Sequence, residues 1–185
     1  MNRFSALFFV GSLVALAPGQ AAIWKPDPAM VKRLASEVKV GGYRIRPPKG
    51  YQTRSQAGPG GSMAYAWTGA PRPDGTSPML MLAIAPIPSG TTSTVLQIAE
   101  QFIGGVQRRR TNFHQSRPQT GTIGGLKFVR IAWTGTASEV SRKMEGIQYV
   151  AIDNGHVVEI WSQDVVPESR QALKLSEAAI LSFRK

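Results

Sequence analysis

The chain has no cysteine among its 185 residues. That excludes thiolate metal sites, a cysteine nucleophile and thiol redox chemistry, and it excludes a lipid anchor on a cysteine behind the N-terminal apolar run. Acidic residues are scarce, 11 Asp and Glu against 22 Lys and Arg. Only two histidines occur, His114 and His156, and neither has a metal-ligand partner at helical or hairpin spacing. No G-x-S-x-G elbow is present to expose a serine nucleophile. A hydrolase built on His156, next to Asp153 and Glu159, is therefore the least favoured functional reading. Gly58-Pro59-Gly60-Gly61-Ser62 lacks the Lys-Ser/Thr of a phosphate loop and precedes a strand, so it reads as a surface loop. Gly121 to Gly125 likewise leads into a strand. Glu139, Glu145, Asp153, Glu159 and Asp164 are too scattered to suggest a glycosidase pair. No catalytic residue, no metal site and no cofactor is expected.

Long apolar runs are also missing, with one exception at the start. Arg3 precedes Ala6 to Ala17, ALFFVGSLVALA, and Pro18-Gly19 then breaks any helix before the small residues Ala21 and Ala22. This is the tripartite pattern of a secretory signal, and the run falls short of the roughly 20 apolar residues that span a bilayer. Residues 1–22 thus read as a signal peptide, 23–41 as an N-terminal helical segment and 42–185 as one domain. Cleavage leaves about 163 residues, one domain by length and large enough to bury a core without disulfides. The expected location is periplasmic or extracellular, with no transmembrane span in the mature form.

What the sequence does have is regular alternation between helical and strand periodicity. Asp27 as N-cap and Pro28 at the first helical position predict a short helix through about Val38, stopped by Gly41-Gly42. Tyr43 to Arg46 alternates as a strand, and Pro47 to Gly50 turns the chain. Thr53 to Ser62 reads as a polar loop. Ser62 to Thr68 reads as a strand with Met63, Tyr65 and Trp67 on one side. Gly69 to Pro78 is a loop with an Asp74-Gly75 turn. Met79 to Ile87 reads as a strand buried on both faces. Thr94 and Gln97 form a capping box for a helix whose apolar stripe is Val95, Ile98, Ala99, Phe102, Ile103 and Val106, and which ends at Arg108 to Arg110. Leu126 to Trp133 predicts a long strand, with a loop or ragged connection from Gly135 to Arg142. Met144 to Ile152 and His156 to Trp161 form a hairpin through Asp153-Asn154-Gly155. Pro167 opens a final helix bearing Ala172, Leu175, Ala179 and Phe183 on one face. Short turns between consecutive strands imply an α+β fold, a largely antiparallel sheet sandwiched between helices.

The net charge of +11 pulls the protein toward polyanions, and for an exported chain these are an acidic protein or an anionic envelope surface rather than nucleic acid. The candidate anion- or partner-binding residues are Arg44 and Arg46 on the first strand, the adjacent Arg108, Arg109 and Arg110, and Arg142 with Lys143. Their convergence around Arg108 to Arg110 is the expectation, because three adjacent guanidiniums exceed what helix capping requires and guanidinium pairs bidentately with carboxylate or phosphate. Trp67, Trp133 and Trp161 fall on strands and are expected in the core. Trp24, just after the cleavage site, is a candidate docking or membrane-touching residue.

The segments Tyr43-Arg44-Ile45-Arg46-Pro47-Pro48-Lys49-Gly50-Tyr51, the helix from Thr94 to Arg110, Thr122-Ile123-Gly124-Gly125-Leu126-Lys127, Gln148 to Ile152 with its glycine turn, and Ala178 to Arg184 together cover most of the chain. In that order they resemble the PsbP-like superfamily, which includes an extrinsic photosystem subunit, a Ran-binding import factor and many exported bacterial proteins. The resemblance implies an antiparallel sheet between helices and a non-enzymatic binding or assembly role in the cell envelope. The metal-binding and docking positions of the photosystem members find no match here. The alternative reading is a small-molecule or lipid carrier with an apolar pocket between sheet and helices.

Overall fold

The computed structural model describes residues 24–138 and 141–185. Residues 1–22, read above as a signal peptide, and Glu139 lie outside the described residues. The elements are α1 (Pro28–Val31), β1 (Val38–Val40), β2 (Tyr43–Ile45), β3 (Gln52–Ala57), β4 (Met63–Thr68), β5 (Met79–Pro86), α2 (Val95–Gln107), β6 (Arg110–Gln115), β7 (Gln119–Ile123), β8 (Leu126–Ala137), β9 (Arg142–Asp153), β10 (His156–Val165) and α3 (Ser169–Ile180). An eight-stranded sheet runs β3-β4-β5-β10-β9-β8-β6, with β7 pairing the other half of β8, while β1 and β2 form a separate hairpin. All the strand pairs are antiparallel.

Strand alternation sorts the side chains onto two faces. On one face Trp67, Leu80, Leu82, Phe128, Tyr149, Val158 and Ile160 meet Leu175, Ala179 and Phe183 of the α3 region in the larger core cluster. On the other, Ile98, Ala99 and Ile103 of α2 pack on Val129, Ile131, Trp133 and Val150. α2 begins in the expected capping box, with the Thr94 hydroxyl accepting from the Gln97 amide and the Gln97 side chain accepting from the Thr94 amide. The β9–β10 hairpin pairs Asp153 with His156, and Asn154 and Gly155 take φ of 46° and 74°, the left-handed pair a tight turn requires.

Five local expectations are corrected. The first helix ends at Val31, because the chain leaves it to bond the next turn: the Ala35 amide donates to the Pro47 carbonyl at 2.7 Å. Val38 then belongs to β1, and Gly41-Gly42, with φ of 53° and 91°, is a hairpin turn rather than a helix stop. Within the expected polar loop, Gln52–Ala57 is edge strand β3, exposed along its whole length. β5 is not buried on both faces: Leu80, Leu82 and Ile84 are buried, but Met79, Met81 and Ala83 on the α2 side are half-buried. α2 stops at Gln107, and Arg110 already belongs to β6, a polar edge strand with a bulge between Thr111 and His114. The loop expected at 135–142 is mostly strand, since β8 and β9 stay paired as far as Ala137 and Arg142.

Candidate functional site

The basic residues singled out in the sequence have different surroundings, and only Arg110 and Arg142 share a register position, both opposite Ala137 of β8. Arg44 is exposed and pairs Glu37 at 3.5 Å, a carboxylate also held by Arg184 at 2.6 Å. Arg46 is half-buried and structural: its Nε donates to the Ala35 carbonyl at 3.1 Å and its Nη2 to that of Leu34 at 3.5 Å. Arg108 and Arg109 are exposed at the end of α2, whereas the Arg110 guanidinium lies 5.7 Å over the Trp133 ring. Arg142 pairs Asp74 and Glu168 and donates to the Val166 carbonyl, with exposed Lys143 beside it.

A different set of cations converges. Lys32, Arg33, Lys49, Arg72 and Arg170 line one cleft of about 720 Å³ between the α1 end, the β2–β3 turn and the start of α3. Local structure places each of them. The Asp27 side chain caps the single turn of α1 by accepting from the Ala29 amide at 2.9 Å, so the chain exits with Lys32 and Arg33 beside the Pro48–Gly50 turn. Backbone and side chain of Lys49 fix that turn, its amide donating to the Arg33 carbonyl at 2.9 Å and its Nζ to the Lys32 carbonyl at 3.1 Å. Arg170 rides on the first turn of α3, whose Glu168 N-cap side chain makes no capping bond. The Arg170 amide donates to the Pro167 carbonyl at 3.3 Å, and the positive end of the helix dipole faces the same cleft.

Arg72 forms its wall differently. Its two Nη atoms donate to Asp164 at 2.8 and 2.6 Å, and Nη1 also to the Thr76 hydroxyl at 3.1 Å. The Asp164 side chain is 1% exposed, so this bidentate pair neutralises Arg72 and anchors the β4–β5 loop. Half-buried Tyr51 lies on the floor, where burial, reinforced by the Asp164 charge, pushes its hydroxyl up to about 12. Glu168 is the one acidic side chain lining the cleft, and Arg142 already holds it from outside at 3.3 Å. Among the described residues Lys32, Arg33, Lys49 and Arg170 therefore have no carboxylate partner. Such an arrangement offers several cationic donors to an acidic group that brings its own negative charge.

The remaining candidates are used structurally. His156 sits at the hairpin turn with Nδ1 3.0 Å from the Asn154 carbonyl oxygen. Asp153 next to it accepts from the Tyr43 hydroxyl at 2.9 Å and from Lys185 at 2.7 Å, and the Lys185 bond holds its carboxyl below the usual range. Trp67 and Trp133 are 0% and 4% exposed, and Trp161 is half-buried. Trp24, a docking candidate in the sequence, packs edge-on against Tyr149 at 5.2 Å. It completes the α3-side core instead.

No family model matches the chain, and no curated protein matches it. Among solved structures, the fold is similar to that of LpqN, described as involved in cell envelope biogenesis of Mycobacterium tuberculosis, with 11% identity, a TM-score of 0.57, and coverage of 80% of this chain and 88% of that one. It is also similar to the cyanobacterial PsbP of Synechocystis sp. PCC 6803, with 15% identity, a TM-score of 0.52, and coverage of 94% and 99%. At those identities the likeness is one of architecture. With one antiparallel sheet held between α2 on one face and α1 and α3 on the other, the chain has the PsbP-like fold.

Proposed function

We propose that the protein is an exported, non-enzymatic binding or assembly module of the cell envelope, and that its basic cleft receives an acidic segment of a partner protein. The single observation that carries this reading is the convergence of Lys32, Arg33, Lys49 and Arg170, none paired with a carboxylate among the described residues, around one concave cleft. A concave site fits an inserted carboxylate-bearing segment better than a flat lipid surface. The envelope location is supported by the signal-like N-terminus and by the likeness in fold to LpqN, described as involved in cell envelope biogenesis. Among the described residues no helix is long and apolar enough to cross a membrane.

The carrier alternative finds less support on the α3 side, where Trp67, Phe128 and Phe183, at 0%, 0% and 1% exposure, fill the space between sheet and helix. The test is binding of an acidic peptide such as oligoglutamate to the intact protein and to a Lys32→Gln, Arg33→Gln, Arg170→Gln triple variant. Three partly screened charges at about 0.5 kcal/mol each predict roughly a tenfold loss of affinity, and the salt dependence should flatten with it. Equal, salt-insensitive binding by both proteins rejects the reading. Preferential binding to anionic vesicles would replace the acidic protein with a membrane surface.

A further inference from the structure

We propose that the cleft where the C-terminal turn of α2 meets β8, β9 and β10 binds a small zwitterion, its primary ammonium seated on Glu159 and Gln148 and its anionic group facing Arg109. This site lies on the opposite face of the sheet from the basic cleft and does not depend on it. Its volume is about 370 Å³, and its lining includes Arg109, Trp133, Gln148, Glu159, Trp161 and Gln163. In register, β9 and β10 place Gln148 opposite Trp161, so amide, carboxylate and indole project from the same face of two adjacent strands.

The strand floor of this cleft carries two acceptors, Gln148 Oε1 and the Glu159 carboxylate. Gln148 is 3% exposed, and its Nε2 donates to Glu159 Oε1 at 2.7 Å. That bond fixes the amide orientation and leaves Gln148 Oε1, buried, with no hydrogen-bond partner among the described residues. An orphaned buried acceptor forfeits the hydrogen bond it made to water, and a ligand donor restores one. Glu159 makes no ion pair among the described residues, in a chain with 22 basic side chains. Burial pushes its carboxyl up to about 7, with the Gln148 bond opposing. The other charged groups lining the same cleft are Arg109 and Arg110; Gln56 and Phe102, which border Glu159 from the neighbouring groove, are neutral.

Three ligand chemistries can be compared with this arrangement. A simple anion meets Arg109 but cannot use a floor of acceptors. A simple cation satisfies the floor but is opposed by Arg109 and Arg110. A zwitterion matches both ends. A primary ammonium has three donors, enough for Glu159 and Gln148 Oε1 together, and the Trp161 ring provides a π face beside it. The same chemistry is found in a free zwitterion and in an ethanolamine lipid headgroup.

The test is calorimetric titration of the intact protein with O-phosphoethanolamine, ethanolamine and inorganic phosphate, followed by Trp161 fluorescence. Phosphoethanolamine is expected to bind tightest. Glu159→Gln should weaken it about tenfold and Arg109→Gln about threefold, in keeping with loss of a buried and a rim charge contact. Below pH 7, binding should release a proton as Glu159 ionises against the ammonium, and Glu159→Gln should abolish that release. Vesicles in which phosphatidylethanolamine replaces phosphatidylcholine distinguish the sources: added binding assigns a headgroup, none assigns a free zwitterion. Phosphoethanolamine binding no tighter than phosphate, or unchanged in Glu159→Gln and in Trp161→Leu, overturns the proposal. The Lys32, Arg33, Arg170 triple variant should bind phosphoethanolamine as wild type, which separates this site from the basic cleft.

Discussion

On the α3 side of the sheet Trp67, Phe128, Tyr149 and Phe183 are at most 1% exposed, whereas on the α2 side Met79, Met81, Ala83 and Trp161 are half-buried. The strands are the same; the cover differs. α3 packs on the central strands β9 and β10, while α2 packs on β6, β8 and β9 toward one edge, leaving the β4–β5 part of its face half-exposed. The carboxylates set against the sheet follow the same division. On the α3 side Arg72 is paired to Asp164. There too, Arg130 donates to both Tyr149 and Glu177, at 2.9 and 3.0 Å. On the α2 side Glu159 has only an amide. Against the sheet, one face therefore holds filled volume and a buried carboxylate paired to arginine, and the other holds looser packing and a carboxylate bonded to an amide.

Volume deletion should separate the faces most strongly. Phe128→Ala removes a ring at 0% exposure that contacts Tyr149 and Phe183 edge-on at 6.4 and 5.7 Å, and cavity formation there should cost about 3–5 kcal/mol. Met81→Ala on the other face, already in contact with water, should cost roughly 1 kcal/mol or less. Denaturant midpoints at constant slope measure both. Similar losses at the two positions would mean that the α2 face is covered in solution.

Charge deletion sharpens the same contrast. Arg72→Leu leaves Asp164, 1% exposed, without its bidentate partner, and an uncompensated buried carboxylate should cost about 3 kcal/mol. Arg44→Gln breaks a pair to Glu37 whose guanidinium is 54% exposed, and should cost less than about 0.5 kcal/mol. Thermal unfolding of both variants against wild type tests this, and an equal loss would show that Asp164 is solvated.

The sequence showed the interior of the fold better than its edges, for a physical reason. The capping box at Thr94 and Gln97 and the Asn154-Gly155 turn are local hydrogen-bond and φ requirements, so they can be read from a few adjacent residues. β3, with Gln52 to Ala57 exposed throughout, and β6, with Arg110 to Gln115 largely polar, bury too little on either face to leave an alternating pattern. The basic cleft was hidden for another reason. Lys32 with Arg33, Lys49 and Arg170 come from three separate turns of the chain, and only the tertiary fold joins them. Arg108 to Arg110 were conspicuous through adjacency, yet a helix end and a strand start point adjacent side chains in different directions. Glu159 and Gln148 are diagonal neighbours on one face of the predicted hairpin, and the alternation of β10 places Glu159 with Val157 and Trp161. A carboxylate on an apolar strand face was the available signal.

A smaller effect is expected from the pH response of the α2 face, and its sign is informative. Burial raises the Glu159 carboxyl from an ordinary value of 4.5 to about 7, so between those values the folded state holds a proton that the unfolded chain has lost. Stability from this group is then complete below about pH 4.5 and is lost as pH rises through 7. Each tenfold change in proton affinity is worth about 1.4 kcal/mol, so the loss is roughly 2 kcal/mol after allowing for partial solvent contact. The paired carboxylates act in the opposite direction. Lys185 holds Asp153 low and Thr76 holds Asp74 low, so their stabilisation is lost only as pH falls through the acid range. Glu159→Gln removes the rising-pH penalty without changing shape. The variant should match wild type near pH 4.5 and exceed its stability near pH 8, with the difference opening between pH 5 and 7. Melting curves at half-unit intervals over that range measure it. A difference that stays constant with pH would show that the Glu159 carboxyl is solvated and that the α2-side cleft holds no desolvated acceptor for an ammonium to occupy.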